Sequence, residues 1–282
     1  MFKMIPEISA SKVAGFIGLH KYQSTHEIAY ELLCKDAATK AKIAELERAL
    51  KRRPFNAVLS EVLKESPIAD CISSGIRAAQ HTSDVTSVLQ DVQDQAALIL
   101  DLRRDTYSPE LKARLADEVR GQVAKRRGIN NEEHILNTYE KAREVKVTER
   151  NTKTIKKDMG TWKLVGRCDG YVASENRIVD SKDRTRHWPQ VPLYDEIQLR
   201  CYMNMYGAKE SELIERFPGG ETRHTLYPLD EAKWTSIQTA VEKGVEKLQL
   251  AMTDSEELKR IVIANTVCTH HDGDSNGSEA TQ

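Results

Sequence analysis

Apolar residues recur at helical spacing through the first half of the chain and then give way to short alternating runs. The segment "EISASKVAGFIGLHKY" opens with serines able to cap a helix, Ser11 among them, and breaks at Gly18. "STHEIAYELLCKDAATKAKIAELERALKRR" predicts one long helix ended by Pro54, and "FNAVLSEVLKES" a second that runs to Pro67. Residues 83–104 carry apolar positions near i, i+3, i+4, and Ser108-Pro109 opens "SPELKARLADEVRGQVAKRR". A separate helix, "NNEEHILNTYEKARE", is expected next, with its asparagines as caps.

The pattern then changes period. "EVKVTER", "TKTIKK", "TWKLVGRCDGYVA" and "NRIVDSK" read as strands, with a hairpin turn at "KKDMG" between the second and third. Pro192 introduces the helix "LYDEIQLRCYMNMYG", ended by Gly207. "ELIERFPGGETRHTLYPL" predicts two strands about a Pro-Gly-Gly turn, and Asp230 caps what is expected to be the final helix. The order implies an α/β core with a small mixed sheet, preceded by a helical region. The divisions expected are 1–33 as the N-terminal part of the core, 34–119 as a helical insertion, 120–264 as the core and 265–282 as a disordered tail.

Composition narrows the function classes. Among 282 residues, 39% are apolar and 30% charged, and the net charge of −1 carries no global basic signature. A nucleic-acid partner needs a local patch, and Lys141 to Arg167 holds nine basic residues, Lys156 and Lys157 included. A solvated hairpin surface would read the same way. The five cysteines are scattered and form no CxxC pair, which argues for an intracellular chain without a zinc or iron–sulfur site. No apolar run is long enough to span a membrane, and no signal-peptide core is visible.

The chemistry concentrates in "VGRCDGYVASENRIVDSKDR". With "TWKLVGRCDGYV" and "NRIVDSK" as neighbouring strands, alternation puts Asp180 and Lys182 on one face and brings Asp169 across from Asp180. Paired carboxylates repel, a divalent cation relieves the repulsion, and a lysine beside it can stabilise an oxyanion. Taken alone, a D-x-K pair is more often a surface ion pair. Arg184, Arg186, His187 and Trp188 follow as a basic loop with an aromatic, suited either to phosphate contact and stacking or to ordinary loop packing. Cys168, Cys201, Trp162 and Trp234 are expected in the core.

The spacing "CDG", then "DSK" ten residues on, resembles the PD-(D/E)XK nuclease superfamily, with Asp180 where many members carry glutamate. "QLRCY" places Gln198 and Tyr202 at i, i+4 and is similar to the Q-x-x-x-Y signature of the RecB-like and lambda-exonuclease-like branches. "GINNEEHILNTYE" resembles the G-x-x-x-E helix of the lambda-exonuclease and YqaJ-type viral recombinase group. The N-terminal "ISASKVAGFIGLHKY" is similar to that group's opening, whereas residues 34–119 depart from it.

The resemblance implies a restriction-endonuclease-like core and a nuclease acting on DNA ends in recombination, repair or genome processing. Glu132 (or Glu133), Asp169, Asp180 and the Ser181 carbonyl would hold Mg²⁺ or Mn²⁺. Lys182 would orient or deprotonate water, Gln198 would position it, and Tyr202 would support the helix. Arg184, Arg186, Trp188, Lys21, Lys156 and Lys157 would contact DNA. Ser11, a weaker phosphate candidate, is expected chiefly as a helix cap. A homo-oligomer (a trimer in that group) and a single-strand-annealing or recombination partner are further expectations. So is a cytoplasmic, nuclear or host-cell location. The alternatives are a catalytically silent nuclease-fold protein that binds DNA or serves assembly, and a structure-specific endonuclease.

Overall fold

The computed structural model describes residues 4–102 and 107–268. The chain begins with β1 (Glu7–Ser9) and α1 (Ala10–Phe16), and Gly18 then takes a φ of 77° that ends the helical path. Ser9, not Ser11, stands at the N-cap of α1; Ser11 lies inside the helix. The long helix expected over residues 24–53 is two, α2 (Thr25–Leu33) and α3 (Ala37–Ala49). The Asp36 side chain accepts the Thr39 N–H at 2.8 Å and starts the second. β2 (Arg52–Pro54), α4 (Phe55–Val62), α5 (Ser66–Gln80) and α6 (Val85–Asp101) follow.

α7 (Pro109–Arg143) is a single helix of 35 residues where two were expected. Gly128 stays helical, and Asn131 serves as a side-chain donor rather than a cap. Glycine costs an exposed helix about 1 kcal/mol, which packing along the whole length of α7 outweighs. Its first half closes a helical core with α4, α5 and α6, built on Val58, Ile68, Leu89, Val92, Leu115, Val119 and Val123. Its second half lays Ile135, Leu136 and Tyr139 against a sheet. The first expected limit of the insertion coincides with the end of α2 at Leu33, yet Ile43 of α3 joins the main core, and α7 runs unbroken across residue 119.

The strands form two main sheets. β3 (Val147–Thr148), β6 (Gly170–Val172), β7 (Arg177–Asp183), β8 (Glu210–Arg216) and β9 (Thr222–Pro228) lie side by side in that order. β7 and β8 are parallel and the other pairs antiparallel, so the sheet is mixed. β1, β5 (Lys163–Gly166) and β4 (Ile155–Asp158) form the second sheet, with the expected hairpin between β4 and β5. The segment read as one strand from Thr161 to Ala173 is therefore two. The chain leaves one sheet at Gly166 and enters the other at Gly170.

α8 (Leu193–Tyr206) connects β7 to β8 and ends at Gly207, with φ 65°. It covers the face of the five-stranded sheet opposite α7: Ile178 and Leu213 share the main core with Ile197, Leu199, Cys201, Tyr202 and the fully buried Trp162. α9 (Glu231–Ala251) is capped by Asp230 but is not the last helix. α10 (Ser255–Asn265) follows, and β10 (Thr266–Cys268) pairs with β2. Residues 265–268 of the expected tail are thus ordered elements, and 269–282 lie outside the described residues. All five cysteines are free. Among the described residues no helix is long and apolar enough to cross a membrane.

Candidate active site

The register of β6 on β7 pairs Gly170 with Val179, which sets Asp169 against Asp180 at the mouth of the sheet. Alternation along β7 sends Ile178, Asp180, Lys182 and Arg184 toward α8, and Val179, Ser181 and Asp183 toward α7. Asp169 does not end a strand; it closes the crossing between the two sheets. Its carboxylate is fixed there by the Ser181 N–H at 2.9 Å and the Ser181 hydroxyl at 3.3 Å. Ser181 therefore engages Asp169 through its N–H and hydroxyl.

Lys182 puts its ammonium 2.6 Å from Asp180 Oδ2, while Asp180 Oδ1 is buried with no hydrogen-bond partner. Burial, then the charge of Asp169, pushes the Asp180 carboxyl up to about 7. Burial also raises Asp169; Lys182 opposes the rise and Glu132 adds to it. Burial works against the charge of Lys182, yet Asp180, Asp169 and Asp195 outweigh it and hold the amine above its ordinary value. Glu132 reaches this group from α7: burial raises its pKa, and the charge of Asp180 is the next cause. The Asn151 amide donates to Glu132 Oε1. Glu133 and His134, by contrast, are exposed.

α8 closes the site from above. The Gln198 amide donates to the Tyr202 hydroxyl at 2.9 Å, and Tyr202 lies in the field of Asp180 and Asp169. The Tyr202 ring can lie this deep because Gly166 has no side chain. A Cβ there would meet Tyr202 Cε1 at 2.9 Å.

Glu132, Asp169, Asp180, Lys182, Gln198 and Tyr202 thus come together from α7, the inter-sheet crossing, β7 and α8. Among the described residues, however, no three His, Cys, Asp or Glu side chains converge as a ready-made metal cage. Each acid turns to its own donor: Asp169 to Ser181, Asp180 to Lys182 and Glu132 to Asn151. Carboxylates that repel one another behave so when donors are within reach.

The expected DNA contacts divide. Arg184 is buried, its guanidinium held by Asp195 at 2.7 Å and Glu215 at 2.7 Å, so it braces α8 to β8 instead of facing solvent. Arg186 is exposed and lies 4.6 Å from the Trp188 ring, leaving a cation and an aromatic together on the surface. Lys21 is exposed beside Tyr22. Lys156 pairs with Glu7 at 3.0 Å, and Lys157 donates to the Asn204 carbonyl at 2.8 Å near the end of α8.

Sequence reasoning missed Asn151 and the Arg127–Asp183 ion pair of 2.5 Å behind β7. Asn151 has a signal, since it is an asparagine between two short strands and takes a φ of 49°. The ion pair has none, because its partners lie 56 positions apart.

No protein-family model and no curated relative matches the chain. Solved structures similar to it include two of bacterial source. One is an alkaline exonuclease from Laribacter hongkongensis, 16% identical over 67% of this chain and 92% of that one, with a TM-score of 0.40. The other is a phage-related exonuclease from Haemophilus somnus 129PT, 11% identical over 89% of this chain and 96% of that one, with a TM-score of 0.44.

Proposed function

We propose that the chain is a divalent-metal-dependent deoxyribonuclease that hydrolyses phosphodiester bonds from DNA ends. The observation that carries this reading is the Asp169–Asp180–Lys182 group, with the buried Asp180 Oδ1 left unpartnered. A phosphate approaching three carboxylates would be repelled, so this acid set suits a cationic counterpart. Its donors are hard oxygens, which fit Mg²⁺ or Mn²⁺. Asp180, Asp169 and Glu132 would hold the ion, which when bound neutralises phosphate charge and lowers the pKa of a coordinated water.

The chain's own groups supply the rest. The charges of its acidic neighbours favour the protonated form of Lys182. It orients the attacking water or offsets charge growing on the phosphoryl oxygens. Gln198, tied to Tyr202, holds its amide over the same site. Arg186 and Lys21 offer charge to neighbouring phosphates.

One observation favours a second reading, that of a nuclease-like protein that binds DNA without cutting it: Lys182 engages Asp180 directly, and the acids do not converge. Incubation with linear, circular, single-stranded and 5′-phosphorylated DNA, with Mg²⁺ or with EDTA, separates the two. Loss of linear DNA that depends on Mg²⁺ and spares circles supports the exonuclease. Cutting of circles supports an endonuclease, and binding without cleavage supports the silent protein.

A further inference from the structure

α8 carries a stripe that extends beyond the acids. Tyr194, Gln198 and Tyr202 stand at i, i+4 and i+8 and so share one helix face. Tyr202 is deep among the acids, and Tyr194 lies two turns nearer the helix start, about 12 Å along the axis. There it meets the loop between α1 and α2. The His20 ring stacks on Tyr194 with centroids 4.1 Å apart at 29°. Tyr22 stands edge-on to both, 6.2 Å from His20 and 6.5 Å from Tyr194.

The loop is fixed for this purpose: the Tyr22 N–H donates to His20 Nδ1 at 3.1 Å. Burial lowers the pKa of His20, against the pull of Asp195, so the ring is neutral at pH 7. Tyr22 remains 59% exposed, and Leu19 of the same loop 48%. The Lys21 ammonium lies 5.6 Å from the Tyr22 ring. Arg184 and Lys182, the latter paired with Asp180, are among the charges acting on Tyr194.

An exposed aromatic ring with an ammonium over it matches a nucleotide, the ring for the base and the ammonium for its phosphate. We propose that His20, Tyr22 and Tyr194 form a stacking platform for a nucleobase of the DNA strand whose phosphate enters the acid site, with Tyr22 as the face that meets the base. The proposal rests on the nuclease reading for its choice of ligand. Stacking of this kind is tolerant of sequence, because every base has a π face.

The test uses the full chain with Mg²⁺ and a short single-stranded oligonucleotide with 2-aminopurine at its end and cleavage-resistant phosphorothioate linkages. Binding of the wild type is expected to quench the fluorophore. Tyr22→Ala is expected to lose the quench and bind about tenfold more weakly, and Tyr22→Phe to keep both. Tyr22 is largely exposed, so the alanine variant should melt like the wild type. Wild-type quench and affinity in Tyr22→Ala would overturn the platform, as would a wild type that binds no oligonucleotide. Parallel cleavage with Mg²⁺ keeps the two readings apart. Cleavage by the wild type with an unchanged Tyr22→Ala quench sinks the platform alone. A quench that depends on Tyr22 without cleavage of any DNA sinks the nuclease alone.

Discussion

In the proposed reaction Asp180 is the residue on which the chemistry turns, because it is buried, faces both Asp169 and Lys182, and keeps one oxygen without a partner. Asp180→Asn keeps the shape but removes the charge, so Mg²⁺-dependent cleavage should vanish while the circular dichroism spectrum and DNA retention in a gel shift stay near wild type. Lys182→Ala removes the donor and leaves Asp180 and Asp169 with less opposing charge. A rate loss of at least about 100-fold is expected in single-turnover assays; wild-type rates would reduce Lys182 to an ion-pair partner. The shared face of Asp180 and Lys182 was legible from "DSK", because alternation in a strand is a local property. Arg184 was not. Its partners Asp195 and Glu215 come from a helix and a neighbouring strand, and only the folded register brings them within 2.7 Å.

At the scale of elements, β7 and β8 carry different chemistry on their two faces. Behind the acid site, Glu212 of β8 gathers the Tyr139 hydroxyl at 2.7 Å, Arg177 at 2.8 Å, Arg143 at 3.1 Å and His224 at 3.0 Å. Burial alone would raise its pKa, but these partners prevail and draw it down to about 2 from an ordinary 4.5. A lowered carboxylate stabilises the fold above its unfolded pKa, and that contribution fades as pH falls from about 4.5 to 2. Glu212→Gln should therefore cost about 3 kcal/mol at pH 7 in urea melts, with the gap from wild type closing toward pH 2. Elements with local punctuation were readable: the β4–β5 turn, α8 between Pro192 and Gly207, and the Asp230 cap. The crossing at Arg167–Asp169 was not, since an apolar run does not reveal which of two sheets will pair with each half. The β2–β10 pairing, across more than 200 positions, has no local trace either.

At the scale of the molecule, α7 joins what the sequence presents as two regions. Its 35 residues span about 52 Å, with the helical core on one end and the sheet on the other. Calorimetry should accordingly show one transition with matching van't Hoff and calorimetric enthalpies, not two. Two resolved transitions would mean that α7 can come apart in its middle. The mixed α/β architecture and the order of its elements followed from periodicity. The continuity of α7 through Gly128 did not, because a glycine followed closely by Asn130 and Asn131 reads as a boundary until packing overrides it.

Arg127 gives this union a particular meaning. Its guanidinium pairs with Asp183 and its Nε donates to the Ala79 carbonyl at 3.0 Å, tying the end of α5 to the strand that bears Lys182. The helical segment is consequently not a removable cassette. A shortened chain lacking residues 55–108 would strip the cover from Leu111, Leu115, Val119 and Val123, each worth about 1.5–3 kcal/mol when buried, and take away the carbonyl that Arg127 holds. Trimming toward a minimal core would have to rebuild that flank of α7 with polar residues, or it would yield an aggregate in place of a folded protein.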